Sequence, residues 1–345
     1  MKNFLIACAL ASFLLTACNN DDAALVSENP PPVDATPTPA RELKLVTSSN
    51  TSGKVTFSDL LAASPIVKSV SVSGLDSDGI FFDSGKDQIV LASRTNNRLE
   101  SYLGLRNSII SGTDNLMLAF SSTSDFNNAR EIAVIDDKVI VTQDQNTANG
   151  NINKILVYQK TASSFNLMNT YTVDFKVWGI HIEGSDLYAV ADLTSDIVVF
   201  NNFFSNPSGN ITPSKRVVIE GLVRTHGITF SAADNRMILT DVGSATSATD
   251  GGLVIINNFS SVFMATANMG TITTGNQIRV YGPTSLLGNP VDVAYDNVSK
   301  NIYVAERLNG GGQVLTFSLP TSNGDYAPTS SRIEAGVTAV YLVRK

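Results

Sequence analysis

Cysteine is almost absent from the chain: two residues in 345. Two thiols cannot build a disulfide scaffold or a four-thiolate zinc site. Charge is also scarce. Lys, Arg, Asp and Glu together make up 16% of the chain, against about 25% in an average soluble domain. The balance is −7, the isoelectric point is near 4.9 and no Lys/Arg stripe occurs, which excludes a basic nucleic-acid binder. The one long apolar run, Phe4–Ala17, has 14 residues and is too short to span a bilayer. There are two histidines and no Gly-x-Ser-x-Gly elbow, phosphate loop or His-Glu-x-x-His motif. Apolar residues are not scarce. At 43% they supply ample material for a core and exclude a disordered acidic chain.

The first forty residues read as an address. Lys2 gives a short positive start, Phe4 to Leu15 an apolar stretch, and small residues follow. Leu15-Thr16-Ala17-Cys18 resembles the bacterial lipobox. The resemblance implies cleavage before Cys18, diacylglycerol on its thiol and an acylated amine. Several acyl chains anchor stably where one is marginal. Asn19 in place of Asp implies the outer membrane, with the protein periplasmic or surface-facing. Cys8 would leave with the signal, residues 1–17. Residues 18–40 read as a lipidated tether, holding five prolines (Pro30, Pro31, Pro32, Pro37, Pro39) and four acids (Asp21, Asp22, Glu28, Asp34). Without Lys2 and those acids, residues 41–345 hold 23 bases and 27 acids, a net of −4. The domain therefore has only a mild electrostatic preference.

A repeat runs through residues 41–345. Five segments share one form, a β-branched run, a polar turn and a second β-branched run. They start at Gly79, Glu131, Gly179, Gly227 and Asp292, and a sixth start falls at Gly336. The mean step is about 51 residues. A third and a fourth strand follow each hairpin. Four antiparallel strands per repeat make a propeller blade. The expected fold is all-β, a six-bladed β-propeller. Its last blade joins Val337–Val343 to Leu43–Thr47, Lys54–Phe57 and Ile66–Val72, which closes the ring and removes its edges. The stretch 258–276 reads as an insertion with a helical turn near Ser261–Ala267.

Ile89–Arg98, with Thr95-Asn96-Asn97-Arg98, and Leu187–Phe200 resemble NHL-type repeats and the related gluconolactonase-like six-bladed propellers. The resemblance covers about residues 43–343. It implies that the residue before each inner strand faces the mouth of the central channel. Those positions here are Asp78, Arg130, Trp178, His226, Val291 and Ala335. An aromatic, an imidazole, a guanidinium and a carboxylate at one mouth can hold a polar or saccharide-like ligand, or can plug the channel by pairing with each other. Asp192, Asp241 and Glu306 read as one shared position at the end of the second strand. They are candidates for an acidic Ca²⁺ ring or for turn stabilisation. Asp76-Ser-Asp78-Gly79 is a calcium-loop fragment without its distant Glu. The gluconolactonase-like enzymes hold a divalent metal with carboxylates and amides at the positions before the strands. Only Asp78 keeps one, so no resident metal or cofactor is expected. His181 lies between Ile180 and Ile182 on an inner strand and reads as packed between blades.

The expected function is a lipid-anchored binding or scaffold module that presents its upper channel face to a protein, peptide or glycan. The loops Asp144–Asn153 and Val242–Gly252 would shape that face. The alternatives are a metal-dependent lactonase using Asp78 with Asp192, Asp241 or Glu306, and a structural envelope component.

Overall fold

A computed structural model describes residues 41–62 and 66–345. The signal, Cys18 and the tether assigned to residues 1–40 lie outside the described residues. The rest folds into six sheets around one axis. Blade one comprises Ser77–Asp83, Gln88–Ser93, Arg98–Leu103 and Leu118–Ser121. Blade two comprises Ala129–Ile135, Lys138–Gln143, Asn153–Lys160 and Phe165–Val173. Blade three comprises Val177–Glu183, Asp186–Ala191, Asp196–Phe200 and Lys215–Ile219. Blade four comprises Thr225–Ser231, Arg236–Asp241, Gly252–Asn257 and Ile278–Tyr281. Blade five comprises Pro290–Asp296, Asn301–Glu306, Gln313–Ser318 and Ser330–Ile333. The closing blade sets Val337–Arg344 innermost against Leu43–Ser49, followed by Lys54–Asp59 and Ile66–Ser71. The all-β, six-bladed fold expected from the repeat is thus observed.

Composition explains the strands. The second strand of each blade has neighbours on both faces, so alternation gives way to continuous apolar runs such as Ile89-Val90-Leu91-Ala92, all buried. Between blades three and four, Val190, Val199 and Val217 meet Leu239, Val254, Ile256 and Phe259 in one cluster. Left-handed Asn97, Asp136 and Asn235 close the tight turns, a conformation that Asn and Asp tolerate better than branched residues.

The inner strands start two residues earlier than the pattern predicts, at Ser77, Ala129, Val177, Thr225 and Pro290. The register shifts just after each start, between Ala129 and Ile132 in blade two and at the matching place in the other four. A bulge breaks period-two alternation, so the sequence pattern becomes regular only beyond it. The bulge also brings neighbouring inner strands close together. A Cβ on Gly179 would lie 2.1 Å from the His226 carbonyl oxygen.

Four of the six outer edges are covered by a device with no signal in the repeat pattern. Connections between third and fourth strands reach back to the preceding blade. Gly209–Asn210 pairs with Phe165–Val173, and Thr271–Ile272 pairs with Lys215–Ile219, both parallel. Single bridges, Ser71 to Asn115 and Val280 to Gly324, do the same elsewhere. This hides strand edges that would otherwise template aggregation. The insertion at 258–276 carries a helix, Phe259–Ala265, whose Phe259 and Phe263 enter the core.

Candidate functional site

We call the end of the channel where the inner strands begin its upper end. The bulge turns Asp78, Arg130, Trp178, His226 and Val291 inward there, and all but Arg130 are buried. In the closing blade this place belongs to Thr338, not Ala335. Val340 pairs with Thr47 as Ile132 pairs with Val141, two residues before the end of the second strand, so the bulged position is 338. Pattern matching on Gly336 placed it three residues early. Thr338 Oγ1 donates to the Ser77 carbonyl at 2.8 Å and ties the closing blade to blade one.

Three of these side chains form a stack. The Trp178 ring lies parallel to His226, with centroids 3.6 Å apart and planes 7° apart. The Arg130 guanidinium lies 3.9 Å from the Trp178 centroid. The indole therefore has neighbours on both faces and is only 7% exposed. It offers no open face for stacking on a sugar; it plugs the channel. His226 Nε2 is 3.0 Å from Asp192 Oδ1, and Arg224 adds a two-pronged contact to Asp192 at 2.6 and 3.0 Å. Burial pushes the imidazole down to about 4, against the pull of Asp192. Burial also acts on Asp192, but the His226 and Arg224 bonds outweigh it and hold that carboxyl well below the usual range.

Asp192 does not share a position with Asp241 and Glu306. Asp241 pairs with Thr225 and Glu306 with Pro290, but the matching partner of Val177 is Ala191. Asp192 stands one residue further on, level with Arg94, Asp144 and Arg307, where side chains face the mouth. Asp241 and Glu306 turn into their own loops instead. Asp241 accepts the N–H groups of Val223, Arg224 and Gly243 and the Tyr281 hydroxyl. Glu306 accepts the N–H groups of Gly288, Asn289, Leu308 and Asn309. These carboxylates hold turns.

The mouth is rimmed by ion pairs, with one cation left over. Arg94 reaches Asp78 at 3.5 Å and Asp76 at 3.6 Å. Arg130 lies between Asp78 and Asp144, at 3.9 and 3.4 Å, and Lys176 stands 3.7 Å from Asp144. Arg307 is exposed and makes no ion pair among the described residues. Beneath the plug the charge reverses. Glu131 and Asp292, which the sequence reading took only as strand starts, are buried acids lining a lower-channel cavity of about 270 Å³. Their signal was an acid where the other repeats have Gly or Ala. Burial first, then mutual repulsion and Asp78, raises Glu131 well above its usual range. Burial, with Asp78 adding to it, raises Asp292 to about 7. Burial raises Asp78 to about 7 against Arg94 and Arg130. His181 borders the same cavity and stands edge-on to Phe230 of blade four.

The donor set does not fit the divalent metal of the gluconolactonase-like propellers. Asp78 faces two guanidinium groups, Asp192 is occupied by Arg224 and His226, and Asp241 and Glu306 point elsewhere. Among the described residues, no group of three or more His, Cys, Asp or Glu side chains is arranged to hold a metal ion.

Fold and mouth together define a class: six-bladed propellers with a plugged channel under a charged upper face. No family model matches the chain, and no curated protein matches its sequence. Solved structures do. A chain of a nidogen/laminin complex aligns with TM-score 0.58 at 12% identity, covering 87% of this chain and 98% of that one. A candidate 6-phosphogluconolactonase from Bacteroides fragilis gives 0.57 at 9% identity, covering 88% and 98%. A second such candidate, from Bacteroides uniformis, gives 0.55 at 14%, covering 84% and 82%. At these identities the likeness is one of fold, and it spans a chain of a protein complex and enzyme candidates.

Proposed function

We propose that the chain is a lipid-anchored binding module, held at the outer membrane through Cys18, whose upper face engages an acidic segment of a protein, peptide or glycan partner. One observation carries this reading. The channel mouth is plugged by the Arg130–Trp178–His226 stack and ringed by five cations, Arg94, Arg130, Lys176, Arg224 and Arg307, against four acids, Asp76, Asp78, Asp144 and Asp192, which leaves the exposed Arg307 outside any pair among the described residues. A plugged mouth favours a surface contact over a deep ligand pocket, and the one-charge excess of cations, centred on Arg307, favours acidic partners. The polar loops Asp144–Asn153 and Val242–Gly252 add adaptable hydrogen bonding around it.

The test uses the purified full chain against panels of acidic, neutral and basic peptides and glycans. A ligand that binds only the folded state raises the melting temperature by mass action. Acidic members should bind, weaken as salt rises and lose at least tenfold in affinity on Arg94→Glu with Arg307→Glu. Binding that ignores both salt and these changes refutes the upper-face reading. Separately, Cys18→Ala should abolish incorporation of labelled palmitate; label retained in that variant refutes the anchor.

A further inference from the structure

We infer that the lower edge of blade one docks on the anionic phospholipid surface that would hold Cys18, so that the cationic mouth faces away from the membrane. The inference rests on the lipid-anchor reading and adds an orientation to it.

The edge is built by a helix, Leu105–Ser111, that follows the third strand of blade one. Its inner side is fixed. Leu105 and Ile109 join the core cluster shared with the closing blade. The Lys68 ammonium donates to the Ile109 carbonyl at 3.3 Å, and Asp87 accepts the Arg106 N–H at 2.8 Å. Its outer side is bare. Ile110 on the helix and Met117 in the connection that follows it are each 84% exposed, and Leu103 and Leu118 on the adjoining strands are also exposed. Ile66 joins them from the facing strand of the closing blade. Scattered apolar residues are ordinary on a surface, but one on the helix, one in the connection after it and three on strand ends beside it are not.

The place where the chain enters the propeller names the occupant. Arg106 of this helix donates to Glu42, at 3.1 Å, and Glu42 exchanges backbone hydrogen bonds with Lys345. The apolar edge therefore borders the point from which residues 18–40 run to the anchor. Twenty-three residues reach at most about 80 Å at 3.3–3.6 Å each. A lipid surface tied that closely is present at high effective concentration, so a patch too weak to bind alone can dock. The charge agrees. Arg41 and Lys345 are exposed around the same point, next to an exposed Lys86 that pairs with Asp83 at 3.7 Å, and juxtamembrane cations are drawn to anionic lipid. The inner strands begin at the mouth and end on this lower side, as Arg344 does beside Glu42. A docked lower edge thus leaves the mouth free for partners.

The test places a nitroxide label at Ile110→Cys, at Met117→Cys and, on the upper rim, at Thr249→Cys. Cys18 would be blocked by lipid, so each label is unique. The full lipidated chain is reconstituted in phosphatidylethanolamine/phosphatidylglycerol vesicles. Labels at 110 and 117 should be at least fivefold less accessible to aqueous nickel than the label at 249. A native-sequence check follows amide exchange over residues 104–118. It should slow on vesicles and recover in the Ile110→Asp, Met117→Asp variant. Equal nickel accessibility at all three positions, in chains that co-sediment with vesicles, overturns the docking alone. Failure to co-sediment overturns the anchor and the docking together.

Discussion

Replacing Glu131 with glutamine should stabilise the propeller at pH 8 and change little at pH 5. Glu131 and Asp292 are buried below the channel plug without a cationic partner in contact among the described residues. Asp292 is raised by burial from 3.8 to about 7. A carboxyl raised by folding holds its proton more tightly in the folded state. Its contribution is whole below the unfolded value near 4 and is lost as pH rises through 7. At 1.36 kcal/mol per pH unit, the Asp292 rise corresponds to about 4 kcal/mol lost by pH 8. Glu131 is raised in the same direction, by burial first and then by repulsion from Asp292 and Asp78, so it too loses stability as pH rises. Glutamine at 131 removes the second charge and fills nearly the same volume. It keeps the Oε1 acceptor that the Ile132 N–H uses at 2.8 Å and sets an amide donor where the other oxygen was. The expected gain at pH 8 is about 1–3 kcal/mol, which is several degrees in melting temperature. His226 works the other way. It is lowered to about 4, so its contribution is present above 6.5 and is lost as pH falls toward 4. That effect is common to both proteins and cancels in the difference. The assay is thermal unfolding of both proteins by circular dichroism at pH 5, 6, 7 and 8. Parallel curves, or a less stable variant at pH 8, would refute the picture of two buried acids in repulsion.

Three further outcomes follow from the fold and the plug. Deleting residues 337–345 removes the innermost strand of the closing blade and should abolish native circular dichroism and its cooperative melt; a retained melt would sink the six-blade closure. Trp178 is the one tryptophan, so its fluorescence reads the plug directly: acrylamide should quench it weakly, and Arg130→Ala should raise quenching severalfold by baring one ring face, whereas strong quenching of the unmodified protein would mean an open mouth. By imidazole chemical shifts, His226 should stay neutral at pH 5.5; a midpoint at 6 or above would show that it lies in water rather than between Trp178 and Asp192.

The blade count and the sharing of one blade by the two termini were legible because β-branched runs and turn residues recur at nearly constant spacing. The third and fourth strands expected after each hairpin are present, Gln313–Ser318 and Lys215–Ile219 among them. What the pattern hid was the bulge. One register shift per blade carries no composition signal, yet it decides which side chain enters the channel. Thr338 and the pair Glu131/Asp292 were missed for that reason, and Asp192 was aligned one residue away from its true equivalents. The helix Leu105–Ser111 was illegible for another. It is short, has no capping side chain and lies between two strands, so it follows from packing against the closing blade rather than from propensity.

The channel is layered by charge, and the layers bear on what the upper face can do. Ion pairs with a small excess of cations rim the mouth, a stack of Arg130, Trp178 and His226 closes it, and two acids lie beneath before apolar walls open downward. Asp78 joins the layers, since it touches Arg94 and Arg130 above and repels Glu131 and Asp292 below. With Asp78 raised to about 7, its charge is half present near neutrality. Lowering the pH from 8 to 6 therefore strips a negative charge from under two guanidinium groups, and the rim becomes more positive without any side chain moving. Attraction for an acidic partner of the kind proposed should grow in the same direction, while the plug stays shut because His226 remains neutral over that range. The acids in the channel thus tune the face above them, although no partner on that face can reach them.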